Sequence, residues 1–401
     1  MTHKKILIAI LIIAAFLRFF RLDYPNKYVF DEVYHGFTAK QYAKGLADAW
    51  VWWTKPPPNV AYEWTHPPLA KEIMTLSILI TGSEDAWAWR LPGAMLGVVS
   101  VLTIYLISKE LFKNERISLA SSFIFSLDGL NFVQSRTGMN DIYLVTFVLI
   151  SLFFFLKKRF IISAIFLGLA ISSKWTGVYF LGLYFILFLF KPRQLINLTY
   201  FFIIIPTVYL LSYIPFFIMG FDWGQFIELQ RQMWYYHTHL KAAHDYASAW
   251  WTWPLNLYPV WFFVEYFPKK IANIYASGNP AVFWLGIGAL VLTITDFIKK
   301  RSLALAIVLG GYFIFWLPWA FSPRIMFLYH YSPSVPFLSL ALGYQLGNYS
   351  NLRRDKITLL LILILIFVSF TLVYPMLTGI PLPRNLLDLF YKINLNKNPF
   401  G

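Results

Sequence analysis

The chain has 401 residues, of which 58% are hydrophobic, 20% aromatic and only 13% charged, and its mean hydropathy is +0.58. Soluble domains carry roughly 25% charged residues, so these values exclude a soluble enzyme, a disordered chain and a disulfide scaffold. The 34 Lys and Arg against 19 Asp and Glu give a formal charge of +15, yet its distribution argues against nucleic acid as a partner.

The excess sits in clusters between apolar runs: Lys4-Lys5, Lys157-Lys158-Arg159, Lys191-Pro192-Arg193, Lys299-Lys300-Arg301 and Arg353-Arg354. Loops kept on the cytoplasmic side of a bilayer show this pattern. Cysteine is absent, so thiol catalysis, disulfides and Cys-based metal sites are excluded.

In chain order, Ile6 to Phe20 follows a basic pair, ends among Arg18 and Arg21 and lacks a small-residue cleavage site. It reads as a retained signal anchor with a cytoplasmic N-terminus. The next apolar stretch, within Leu69 to Gly82, is about ten residues long, whereas a span needs about twenty. If it crossed, the later basic clusters would lie outside. Residues 22–87 are therefore expected to form one external loop carrying an interfacial or re-entrant helix.

Spans are expected at about 88–110, 117–134, 141–157, 160–174, 175–190, 197–218, 280–298, 302–320, 326–347 and 357–377, making eleven with the first. Residues 221–279 read as a second external loop whose Trp, Tyr and His content suits the membrane interface. Arg384, Lys392 and Lys397 lie in an external tail. The expected fold is thus an all-α polytopic membrane protein without internal repeats. Its parts are 1–220 with the first loop, 221–279, and 280–401.

Under this topology Asp31, Glu32, His66, Lys71, Arg90, Gln134, Arg136, Asp141, Lys174, Arg324 and His330 share the outer membrane level, with Arg18 near it. Snorkelling accounts for some Lys and Arg residues, but not for the carboxylates, Gln134 or His330. Asp31 and Glu32 suit proton acceptance; Arg90, Arg136 and Lys174 suit a lipid phosphate. That combination fits glycosyl transfer from a lipid phosphate.

The sequence resembles the protein O-mannosyltransferases in their compact prokaryotic form. The resemblance rests on Phe30-Asp31-Glu32 with His35; His66-Pro67-Pro68-Leu69-Ala70-Lys71; Arg90-Leu91-Pro92; Asp128 through Asp141; and Ser173-Lys174-Trp175. Further matches are Tyr236-His237, His244, Trp251-Thr252-Trp253-Pro254, Gly278-Asn279-Pro280 and Arg324 through Tyr331. It implies the C-type membrane glycosyltransferase fold with external juxtamembrane helices. It also implies inverting, metal-independent and cofactor-free transfer of mannose from a polyprenyl- or dolichyl-phosphate carrier to Ser or Thr of exported proteins.

Asp31 matches the family's proposed base, Glu32 its neighbour, and Arg90 a donor-site arginine. Arg18, Arg136, Lys174, Gln134 and Asp141 are expected near the donor; His66, Lys71, His237, His244, Arg324 and His330 near the acceptor or in support. The second loop is too short for the β-trefoil module of eukaryotic members. The expected location is the plasma membrane, or the endoplasmic reticulum in a eukaryote, with an external active site; an oligomer is compatible with this reading. The rivals are a sister enzyme acting on a lipid or envelope glycan, a transporter, and a metal site from His237, His239, His244 and Asp245. A transporter would place polar groups at mid-bilayer depth and show repeats.

Overall fold

The structure, a computed structural model, describes residues 2–348 and 353–387. Lys392 and Lys397, and the side chains of Arg353 and Arg354, lie outside the described residues. Helix α1 spans His3–Phe19, α2 His35–Ala43, α3 Leu69–Thr81, α4 Ala86–Phe112, α5 Glu115–Ser126, α6 Gly129–Arg136, α7 Asp141–Leu156 and α8 Phe160–Ser173. Then follow α9 Val178–Leu189, α10 Leu198–Leu211, α11 Ile214–Ile218, α12 Trp223–His239, α13 Pro280–Lys300, α14 Leu303–Trp316, α15 Val335–Gly347 and α16 Arg353–Thr378.

Helix ends follow local chemistry. The Asn114 and Asp128 side chains accept backbone N–H bonds at the starts of α5 and α6, and Asp222 with Gln225 forms a capping box on α12. Helix α13 starts with Asn279 as cap and Pro280 in the first turn, and it ends with Lys299 and Lys300 beside its carbonyls. Helix α3 stops at Gly82, whose φ of 63° lies in the left-handed region.

Helix α4 runs about 40 Å by the standard rise and packs against α1, α3, α5, α6 and α7, while α15 packs against α5, α13 and α14. Among the described residues, five helices are long and apolar enough to cross a membrane, or six if α6 and α7, bent by 115°, form one broken span. The expected spans 88–110, 197–218, 280–298, 302–320 and 357–377 coincide with these five helices, and the other six fall on shorter ones: 117–134 is split between α5 and α6 at Leu127-Asp128, and a 3-10 turn, Leu328–Ser334, occupies the first part of 326–347. Helix α3, with 13 residues, is not among the candidate spans.

The all-α expectation needs one correction. The second loop contains, besides α12, an antiparallel hairpin of β1, Val260–Tyr266, and β2, Lys270–Ala276. A two-residue strand in the tail, β3 (Leu382–Pro383), pairs with Lys270 and Ile271. The runs VWFFVEY and KIANIYA are rich in aromatic and β-branched residues and flank the short Phe267-Pro268-Lys269 connection, which favours strands. The aromatic content therefore serves packing as well: Phe262, Phe263 and Trp253 are buried.

Candidate active site

Phe30–Val33 forms a 3-10 turn just beyond α1. Glu32 in it is fully buried. Its carboxylate accepts from Arg90 Nε at 2.7 Å and Nη2 at 2.6 Å, and from the backbone N–H groups of Gly138 at 2.8 Å and Val29 at 2.9 Å. Arg90 spends its remaining donors on the carbonyls of Leu22, Pro25 and Lys27. All five guanidinium donors are thus engaged inside the protein. Removing one partner of such a buried pair typically costs 3–5 kcal/mol, roughly, because the other charge is left uncompensated.

Phe30, at φ +48°, is in the left-handed region, which costs roughly 1–2 kcal/mol for a residue with a Cβ. Its ring stacks on Phe262 of β1 with centroids 4.3 Å apart and planes 7° apart. Such a pair contributes about 0.5–1.5 kcal/mol beyond burial, the same order as the strain.

Asp31 points the other way, into a cavity of about 1420 Å³ walled by both external loops, the ends of α8 and α10, and the segment 318–330. Its carboxylate enters no hydrogen bond or ion pair among the described residues, in contrast to Glu32. Burial, aided by Glu63, pushes Asp31 up to about 7; Lys174 and Arg324 oppose this and Asp141 adds to it.

Lys174 occupies an extended break between α8 and α9, and its ammonium meets Asp141, the first residue of α7, at 2.8 Å. Arg324 lies on the opposite chain segment. One of its amino groups contacts His237 Nδ1, while its Nε has no partner among the described residues. His237 Nε2 bonds the Thr65 carbonyl at 2.7 Å, which makes Nε2 the donor. Burial and Arg324 lower His237 to about 4, and burial lowers His66 well below its ordinary value, so both rings are neutral. They stack at 4.9 Å.

The cavity thus gathers Asp31, His66, Asp141, Lys174, His237, His244, Arg324 and His330 from the sequence-derived set. Glu32, Arg90, Arg18, Arg136, Gln134 and Lys71 stand behind its wall. The expectation that Arg90 meets a donor phosphate has no free donor group to rest on. Arg136 caps α1 through the carbonyls of Leu17, Arg18 and Arg21, and Arg18 bonds those of Ala14 and Ser126. Gln134 holds the Tyr329 carbonyl, and Lys71 holds that of His66 at 2.9 Å.

Glu63 was not among the sequence-derived candidates. It is buried, accepts from the Thr65 hydroxyl and the His66 N–H, and lies 3.7 Å from His35 Nδ1. Burial raises Glu63, but Lys71, His35 and Thr65 outweigh it and hold the carboxyl below its ordinary value. A lone acid among aromatics three residues before His66 was the only signal for it. As for a metal, no group of three or more His, Asp or Glu among the described residues is arranged to hold one. The His244 Nδ1 accepts from the Tyr246 N–H instead.

Residues 8–228 match the family model described as dolichyl-phosphate-mannose-protein mannosyltransferase, and residues 222–392 match that of the C-terminal four-TMM region of protein O-mannosyltransferase. The polyprenol-phosphate-mannose–protein mannosyltransferase of Mycolicibacterium smegmatis is 24% identical, over 94% of this chain and 90% of its own length. Its counterpart in Mycobacterium tuberculosis is 25% identical over 81% and 79%.

Among solved structures, the Saccharomyces cerevisiae Pmt1-Pmt2 complex bound to the sugar donor superposes with a TM-score of 0.83 at 15% identity, covering 98% of this chain and 92% of that one. ArnT from Cupriavidus metallidurans bound to undecaprenyl phosphate gives 0.63 at 15% identity, over 90% and 61%. The buried Glu32–Arg90 pair, the free Asp31 and the cations across the cavity are therefore features of a multi-pass membrane glycosyltransferase. The chain belongs to the dolichyl-phosphate-mannose-protein mannosyltransferase family.

Proposed function

We propose that this protein transfers mannose, with inversion, from a polyprenyl- or dolichyl-phosphate carrier to Ser or Thr hydroxyls of exported proteins, with Asp31 as general base on the external face. The observation that carries the reading is the Asp31 carboxylate, without a hydrogen-bond partner among the described residues, on a cavity wall that also presents Lys174 and Arg324. The names of the mycobacterial relatives support the donor and the protein acceptor.

A hydroxyl is a weak nucleophile, and its attack improves when a carboxylate takes the proton as the bond forms. In the proposed step the hydroxyl oxygen bonds the anomeric carbon and the carbon–oxygen bond to phosphate breaks. The proton passes to Asp31, and the electron pair leaves with the carrier phosphate. Lys174 and the free Nε side of Arg324 are the groups placed to meet that charge. Glu32 and Arg90 act indirectly, holding the turn that aims Asp31.

The test is purified protein given polyprenyl-phosphate mannose carrying labelled sugar and a Thr-rich peptide. Labelled peptide is expected from the unaltered protein. Arg324→Ala should raise the donor KM on the order of tenfold to a hundredfold, the usual loss of a charged hydrogen bond. Label appearing on lipid or glycan but never on peptide would overturn the protein-acceptor reading.

A further inference from the structure

The residue before Asp31 is held in a conformation that its own chemistry disfavours. Phe30 has φ +48°, where a bulky side chain is an outlier. Such strain persists only where the surroundings over-determine it. Phe262 of β1 lies flat against the Phe30 ring, and Tyr329 meets both rings edge-on, at 5.9 Å from Phe30 and 6.3 Å from Phe262. Phe262 is buried and lies off the cavity wall, behind Phe30. The same hairpin grips the loop a second time. Glu265 accepts from the Tyr24 hydroxyl at 2.7 Å and from Lys27 Nζ at 3.2 Å.

We propose that Phe262 is a positioning residue for transfer: its flat stack keeps Phe30 left-handed, and that conformation sets the direction in which the Asp31 carboxylate enters the cavity. The inference rests on reading Asp31 as the base. Glu32 is pinned by four hydrogen bonds on the far side of Asp31. If Phe30 relaxed to negative φ, residue 31 would have to absorb the rotation, because residue 32 cannot. Catalytic groups tolerate only small errors, within about 0.5 Å and 10–20°. The late hairpin thereby controls a base lying more than two hundred residues earlier in the chain.

Phe262→Leu keeps an apolar side chain but loses the flat ring. It should lower kcat on the order of tenfold to a hundredfold, as small misplacements do, with the KM for donor and peptide unchanged. A second pair guards against a folding failure. If the backbone conformation matters, Phe30→Gly, which adopts positive φ freely, should be more active than Phe30→Val, which resists it. Simple apolar packing predicts the reverse order.

Asp31→Asn in the same single-turnover assay separates the two claims. Wild-type rates in that variant would remove the base reading itself. If Asp31→Asn is inactive, a wild-type kcat in Phe262→Leu, or Phe30→Val outperforming Phe30→Gly, would overturn the positioning inference alone.

Discussion

Two adjacent carboxylates have opposite lives in this protein. Glu32 is saturated by Arg90, Val29 and Gly138, whereas the Asp31 side chain has no hydrogen-bond or ion-pair partner among the described residues and faces the cavity. For Asp31, the folded value of about 7 exceeds that of an ordinary carboxyl, so a proton is bound more tightly in the fold. The corresponding stability is present at low pH and is lost as pH rises through about 7. The base is ready only above that value. Transfer should climb roughly tenfold per pH unit below 7 and then level off. Glu63→Gln removes a negative neighbour and should move that rise to lower pH; an unshifted profile would separate Glu63 from Asp31. Because Arg90 has no free donor, Arg90→Ala should cost about 3–5 kcal/mol of stability by orphaning Glu32. A thermal melt of the detergent-solubilised variant checks this, and an unchanged melt would contradict it.

At the level of elements, the site is built where helices are interrupted. The 115° bend between α6 and α7 presents Asp141, and the extended Lys174 between α8 and α9 brings its ammonium to that carboxylate. The span limits at 134/141 and 174/175 marked where these breaks fall, but not the bend or the extended Lys174, because hydropathy reports how apolar a run is and not the backbone conformation at its end. The short helix at 69–81 was legible from its length. The hairpin was not, since aromatic residues suit a membrane interface and a packed strand alike. Likewise, residue type marked Arg90 and Arg136 as phosphate ligands, while the groups that hold them, Glu32 and the carbonyls of Leu22, Pro25 and Lys27 for Arg90 and those of Leu17, Arg18 and Arg21 for Arg136, are distant in the chain. Asn279 shows the value of such joints. Its side chain caps α13 and also donates to the carbonyls of Leu127 and Ile366. Asn279→Ala should therefore destabilise by about 2 kcal/mol, at the high end for a cap, and a melt within error of wild type would deny it that bridging role.

Across the full chain, both large loops and the cavity must share one side of the membrane, with the basic clusters on the other, for Asp31, Lys174 and Arg324 to meet a single substrate. The chain has no cysteine, so single introduced thiols report sidedness cleanly. Ser83→Cys should react with an impermeant reagent applied outside intact cells, and Lys158→Cys should react only after permeabilisation. The opposite labelling would divide the proposed site between two compartments. Whether Asp31 takes the proton from an acceptor hydroxyl as mannose leaves a lipid phosphate is read in single-turnover transfer with prebound polyprenyl-phosphate mannose and a Thr-rich peptide. Asp31→Asn should retain the donor yet transfer almost nothing even at about pH 8, where the native carboxylate is ionised. Transfer by Asp31→Asn at the wild-type rate and with the wild-type pH profile would rule Asp31 out as the base.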